Sequence, residues 1–192
     1  MVMRTAKLGA VAVGLCAVVL ALSVQPSWAE DAFAKITGSI QGVILGDHPD
    51  IKGVLGSKDA VRIFSTTFGL QVVQAAGVGK PVTGPVAVVK GFDRSSPKLL
   101  RAAFTGEPLT VEITWYMLFQ SVPRKTVTIR LDGAFVTNMD ASADLQGNNA
   151  SGFESVSFSY SKITFATPIL DANGGIIGTS SVCLDVLNNK TC

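Results

Sequence analysis

Residues 83–137 read TGPVAVVKGFDRSSPKLLRAAFTGEPLTVEITWYMLFQSVPRKTVTIRLDGAFVT. The stretch is a strand, one short helix and two more strands with little slack between them. Leu109, Val111, Ile113 and Trp115 alternate with Thr110, Glu112 and Thr114, the period-two signature of a strand with one buried face. Residues 125–139 repeat the pattern, with Val127, Ile129 and Leu131 set against Thr128, Arg130 and Asp132. Ser121-Val122-Pro123-Arg124 between them predicts a hairpin turn. Ahead of this pair, Ser96 is placed as a helix N-cap and Pro97 at the first helical position, where no needed donor is lost. Leu99, Leu100, Ala103 and Phe104 fall on one side, and Gly106 is the C-terminal stop. A helix of about nine residues does not hold alone in water. It must pack on a sheet or plug the end of a barrel.

Working outward, residues 33–40 and 61–73 read as strands, and 85–92 as the strand that leads to the helix. Gly46-Asp47-His48-Pro49-Asp50 opens a loop that runs to about Asp59. Residues 75–84, with Gly77, Gly79, Pro81 and Gly84, read as a second loop. Residues 140–152 are polar, with Gly147, Asn148 and Asn149, and read as a third. Residues 153–167 are the last long strand of the core. Asp171-Ala172-Asn173-Gly174-Gly175 is a turn, and residues 176–187 add an edge strand. Many strands with one short helix predict a mainly β domain, a small barrel or sandwich.

The first 29 residues read as a secretory signal peptide. Arg4 and Lys7 precede an apolar run at residues 8–24, and Pro26-Ser27-Trp28-Ala29 places small residues at −3 and −1 of a cut after Ala29. A membrane anchor is the alternative, but the run is at the short limit for a span. Lipidation at Cys16 is a third reading, and Leu15 before it fits such a site poorly. The chain has 192 residues, with 16 Lys+Arg against 14 Asp+Glu. Arg4 and Lys7 leave with the signal, so the remaining 163 residues are formally neutral. No basic cluster with interleaved aromatics is present, which speaks against nucleic acid. Once the signal is gone, no stable membrane insertion is expected. Cys183 and Cys192 then remain, and an even count in an oxidising compartment suggests a disulfide, with two unpaired thiols as the alternative.

Chemistry is sparse. His48 is the only histidine, so His-pair zinc sites from one chain are excluded, and a lone His in a Gly/Pro loop reads as a solvated turn residue. No Gly-x-Ser-x-Gly elbow accompanies the serines. Asp171-Ala172-Asn173-Gly174 lacks the later acidic ligand of a calcium loop, and Gly77-Val78-Gly79 lies between strands and is not a phosphate cradle. Asn149-Ala150-Ser151 and Asn189-Lys190-Thr191 match the glycosylation tripeptide, which occurs often by chance. No catalytic, cofactor-binding or metal-binding residue is assigned. The aromatics Trp115, Tyr116, Phe119, Phe158, Tyr160 and Phe165 read mainly as packing. Trp115 and Tyr116 point to opposite faces, so one of them faces solvent, a lumen or another subunit.

The order of elements, with Asp93-Arg94-Ser95-Ser96-Pro97-Lys98-Leu99, Leu131-Asp132-Gly133-Ala134-Phe135-Val136 and Glu154-Ser155-Val156-Ser157-Phe158-Ser159-Tyr160-Ser161-Lys162-Ile163, resembles the hemolysin-coregulated protein (Hcp) family, the tube proteins of type VI secretion. The similarity runs from about residue 33 to 167. It implies a compact β-barrel of two antiparallel sheets with one flanking helix. It further implies hexameric rings that stack into a tube, an effector carried in the lumen, and no enzymatic activity. Residues 45–59 and 72–84 match the family's variable loops, where ring-to-ring contacts are implied. The domain plan is a signal at 1–29, a barrel at 30–168, and an extension with the disulfide at 169–192. Family tube proteins are normally loaded from the cytoplasm, so the signal and the extension together fit a periplasmic or extracellular relative. The alternative function is an exported monomeric β-barrel binding module that kept the fold and lost assembly. An exported hydrolase ranks below both, for want of a triad or metal cluster.

Overall fold

The structure, a computed structural model, describes residues 31–192 apart from 51–53, 55–56, 76–77, 120–121 and 147–148. The signal segment and its cut after Ala29 lie outside the described residues. In chain order the strands are β1 (Asp31–Gly38), β2 (Gly42–Ile44), β3 (Val61–Ile63), β4 (Ser65–Thr67), β5 (Leu70–Ala75), β6 (Val78–Thr83) and β7 (Val86–Gly91). Helix α1 (Ser96–Thr105) follows. The chain then forms β8 (Leu109–Phe119), β9 (Val122–Gln146), β10 (Asn149–Ser159), β11 (Lys162–Leu170), β12 (Ile176–Asp185) and β13 (Lys190–Thr191). The result is a mainly β barrel of two antiparallel sheets with one short helix.

Strand β9 makes the barrel. Its first half lies between β8 and β11, with Ile113 opposite Ile129 and Ile163 opposite Leu131. Its second half pairs with β10, with Val156 opposite Met139. The bend falls at Gly133, whose φ of +58° favours glycine. A Cβ there would stand 2.7 Å from Ser161 Oγ. One sheet therefore runs from β1 through β8, β9 and β11 to β12 and β13, with β2 and β3 both on β1. The other runs β9, β10, β7, β4. Alternate residues from both sheets fill the space between them. Ile36, Val111, Ile113, Ile129, Leu131, Val86, Val88, Val156 and Phe158 are buried there with Leu99 of the helix. Each such aliphatic or aromatic side chain contributes about 1.5–3 kcal/mol by leaving water.

The pairing corrects several boundaries. Residues 153–167 are two strands, because the chain turns at Tyr160–Ser161 and crosses to the other sheet opposite Gly133. The loop expected at 75–84 is largely the hairpin β5–β6. Pro81 is in register with Val72, and both strands of a two-stranded hairpin are edge strands, where proline is found. Residues 140–152, expected as a polar loop, extend the β9–β10 ladder. Residues 140–143 of that arm are exposed, so their polarity conflicts with nothing. The expected strand 61–73 is broken at Phe64 and again at 68–69. Val122–Arg124, expected in a turn, already pair with Met117–Phe119.

Candidate functional site

The Asp93–Leu99 run starts a helix over a buried charge. Lys90 continues the inward series Val86, Val88 on β7 and is fully buried. Its Nζ meets Glu154 Oε1 on β10, Asp93 Oδ1 at 2.9 Å, the Gly91 carbonyl at 2.7 Å and Ser96 Oγ at 3.1 Å. Ser96 Oγ also accepts from the Asp93 N–H at 3.1 Å and donates to Glu154 Oε1 at 2.7 Å. Two of the three runs that carry the family resemblance, Asp93–Leu99 and Glu154–Ile163, therefore touch through one clasp that fixes α1 to the second sheet. Ser96 is not the cap, because Ser95 occupies the N-cap position, with Ser96 and Pro97 in the first turn. Ser95 makes no side-chain cap bond. Asp93 Oδ1 accepts its N–H and Oγ–H instead, so the side chain is spent outside the helix. Gly106 ends the helix in the left-handed region, at φ 62° and ψ 35°, with its N–H on the Ala102 carbonyl.

Three further contacts tie loops to this frame. Arg94 reaches Asp47 and Asp59 at 2.7 Å each, and the Asp59 hydrogen bond leads in raising its pKa. Glu107 is buried, which works against ionisation, but N–H groups of Gln41 and Ile40 donate to it at 2.6–2.7 Å. Those donors win, and its carboxyl sits below the ordinary value. At the far end, Cys183 and Cys192 are joined by a disulfide with Cα atoms 5.3 Å apart, holding the β12–β13 turn closed. Asp185 inside that turn is held below its ordinary value, first by its side-chain hydrogen bond from Asn188.

His48 is buried, contrary to the sequence expectation of a solvated turn residue. Its Nδ1 lies 2.8 Å from the Pro49 carbonyl and its Nε2 3.2 Å from Asp31, and its ring lies 5.1 Å from that of Phe33. Phe33 in turn stacks on Tyr116 at 5.6 Å. Tyr116 thus faces a small second cluster with Val54 and Ala60, while Trp115 packs on the main core. Among the described residues no group of three His, Cys, Asp or Glu side chains is placed to hold a metal. No helix among them is long and apolar enough to cross a membrane.

What the barrel offers instead is surface. The second sheet ends in β4 on one side and in the distal half of β9 on the other. Neither outer edge carries a strand among the described residues. Beside the β4 edge, Phe64 meets Phe153 edge-on at 5.6 Å, and Phe92 lies against Gly152. All three rings are about half exposed. Sequence reading missed Lys90 and Glu154 as partners. The signal that was available is the inward slot of Lys90 in the 86, 88, 90 series.

Fold and site together define a small two-sheet barrel whose helix is clasped by buried charge. The family model described as "Type VI secretion system effector, Hcp" matches residues 33–166. The "Major exported protein" of Pseudomonas aeruginosa is 30% identical over 161 residues, spanning 76% of this chain and 94% of that protein. The solved "Secreted protein Hcp3 from Pseudomonas aeruginosa" superposes with a TM-score of 0.58 at 28% identity, covering 80% of this chain and 97% of its own. A second structure, "Crystal structure of Hcp protein", gives 0.63 at 26%, covering 80% and 98%. The chain belongs to the Hcp family of type VI secretion proteins.

Proposed function

We propose that this protein is a non-enzymatic structural component that closes into hexameric rings, and that the rings stack into a tube with room for an effector in its lumen. The supporting observation is the pair of open edges on the second sheet. An edge strand with unpaired N–H and C=O groups is a template for another chain. Joining the β9 edge of one copy to the β4 edge of the next is a head-to-tail contact, and such contacts give rings when the rotation closes. The same proposal gives ring-to-ring contact to the variable loops at residues 45–59 and 72–84.

The same reading has the chain exported, with the signal cut after Ala29, a barrel at 30–168 and an extension at 169–192. The relative named "Major exported protein" supports export. The Cys183–Cys192 bridge suits an oxidising compartment, periplasmic or extracellular.

Light scattering on the exported protein, with negative-stain imaging, tests assembly. Annular particles with a mass near a hexamer are expected. A clean monomer at high concentration sinks the ring and favours a monomeric binding module. Proline placed in turn at Ala141 and Ser142 sharpens the test. Successive N–H groups point to opposite sides of a strand, so one variant removes an edge donor and the other a ladder donor. Intact mass of the exported chain checks that it begins at Glu30.

A further inference from the structure

The loop that leaves β2 returns to β3 through a closed neck. Gly46 N–H donates to the Asp59 carbonyl at 2.8 Å, His48 N–H to the Ala60 carbonyl at 3.0 Å, and Asp59 N–H to the His48 carbonyl at 3.0 Å. Two side chains pin this neck to the rest of the fold. On one side Arg94 reaches Asp47, Asp59 and the Gly46 carbonyl. A guanidinium is always charged, so that pin does not respond to pH.

The imidazole of His48 is the other pin, and its side chain has no exposed surface. Both of its nitrogens face acceptors. Nδ1 lies 2.8 Å from the Pro49 carbonyl, and Nε2 lies 3.2 Å from each carboxylate oxygen of Asp31 at the start of β1. A neutral imidazole carries one N–H in either tautomer. It can donate to one of these partners and turns a lone pair on the other, whereas the imidazolium donates to both. The other charges nearby supply no substitute. Arg62 on β3 stands 3.9 Å from Asp31 Oδ1. Asp47 and Asp59 are turned to Arg94, and Asp50 and Lys58 are exposed. Phe33 lies against both His48 and Tyr116 of β8. Burial first, then Glu112, raises the Tyr116 phenol above its ordinary value, so that group stays neutral.

We infer that His48 is a proton-operated latch, which as the imidazolium ties the 45–59 loop to the start of β1 and on losing a proton frees that side of the neck. Histidine is the side chain that changes charge between about pH 5 and 8. The tie is present at the acid end and is lost as the ring gives up its proton. Arg94 keeps its side of the neck throughout, so the loop swings from that side. The loop also lays Val54 on Phe33 and Tyr116, and that packing loosens with it. The bearing on stacking rests on the ring proposal above, which gives this loop ring-to-ring contact. On that reading stacked rings are favoured at the acid end.

His48 is the only histidine of the chain, so the ring nitrogen resonances of the exported protein report this site alone. Hydrogen exchange at about pH 5 and about pH 8, corrected for intrinsic rates, reads the neck. The amides of Gly46, His48 and Asp59 are expected to lose protection about tenfold or more as the ring loses its proton, the scale of one hydrogen bond to a charged group. Asp31→Asn separates a latch from a plain contact. Its amide can turn Nδ2 toward a neutral Nε2, so the neck stays protected at both pH values. His48→Phe keeps a ring and drops both donors, and leaves the neck loose at both. Circular dichroism checks that each variant folds. Neck protection that ignores pH, or that changes out of step with the ring nitrogens, overturns the inference. So does a folded Asp31→Asn variant that is loose at both pH values. These readouts need no ring, so a monomer sinks the ring and leaves the latch to be decided by exchange. Rings whose stacking by light scattering ignores pH overturn the regulation and leave ring closure standing.

Discussion

Removing one partner of the Lys90–Glu154 pair is expected to cost more than any single aliphatic truncation at the surface of this barrel. Lys90 is fully buried and Glu154 nearly so. Glu154 Oε2 already lacks a hydrogen-bond partner among the described residues. Glu154→Leu leaves the ammonium with Asp93 as its only carboxylate and takes away the acceptor of the Ser96 hydroxyl. Breaking a buried pair from one side costs about 3–5 kcal/mol, because the surviving charge is left without compensation. For a domain of this size that lowers Tm by about 6–20 °C. Lys90→Met is expected to cost a similar amount, since it strands Glu154. The double variant removes both charges between the two strands and leaves Asp93, which keeps its Ser95 donors, as the one carboxylate without its cation. It should therefore be more stable than the sum of the singles implies, by about 2 kcal/mol. Thermal and urea unfolding at one fixed protein concentration measure all four proteins. The reasoning fails if the two losses simply add, or if Glu154→Leu alone costs under about 1 kcal/mol.

Gly133→Ala should destabilise by about 1 kcal/mol or more, through the positive φ and the crowding of Ser161 Oγ. Adding Ser161→Ala should recover only the crowding part, and full recovery in urea unfolding would show that the backbone angle does not matter. Glu107 has a folded pKa below its unfolded value. Its contribution is therefore present above the unfolded carboxylate pKa and is lost as pH falls through the folded one. Glu107→Gln should flatten the acid limb of the stability–pH curve, and an unchanged limb counts against the Gln41 and Ile40 donors as the cause. Reducing Cys183–Cys192 opens a loop of sequence separation 9, for which chain entropy sets a ceiling of about 2.7 kcal/mol. Hydrogen exchange should rise in residues 184–191 while the barrel core stays protected, and a rise across the core contradicts a local role.

What the local sequence does and does not encode here has physical causes. Residues 109–119 and 125–139 were legible because a half-buried strand must alternate, and alternation is local. Residues 140–152 and 75–84 carry the composition of loops, since an exposed strand, as at residues 140–143, is under no pressure to be apolar. Trp115 and Tyr116 were correctly set on opposite faces, but only the fold covers Tyr116 with Phe33 and Val54. His48 looked solvent-bound because a Gly/Pro loop carries no sign of what packs over it. Lys90 looked like an ordinary strand lysine, because its partner Glu154 lies 64 residues away.

The sequence by itself determined the strand–helix–hairpin scaffold, the stop at Gly106 and the family resemblance that the comparisons support. Each rests on near neighbours in the chain, where period, cap and turn chemistry act. The tertiary structure decided where β9 bends and hands its pairing from one sheet to the other. It also decided that the Asp-x-Ser-Ser-Pro run and the Glu-Ser-Val-Ser strand meet over a buried lysine, and which sheet edges remain open. Those features depend on contacts between residues far apart in sequence. No local pattern encodes such contacts, and their energy comes from apolar burial together with the pairing of the polar groups buried with it.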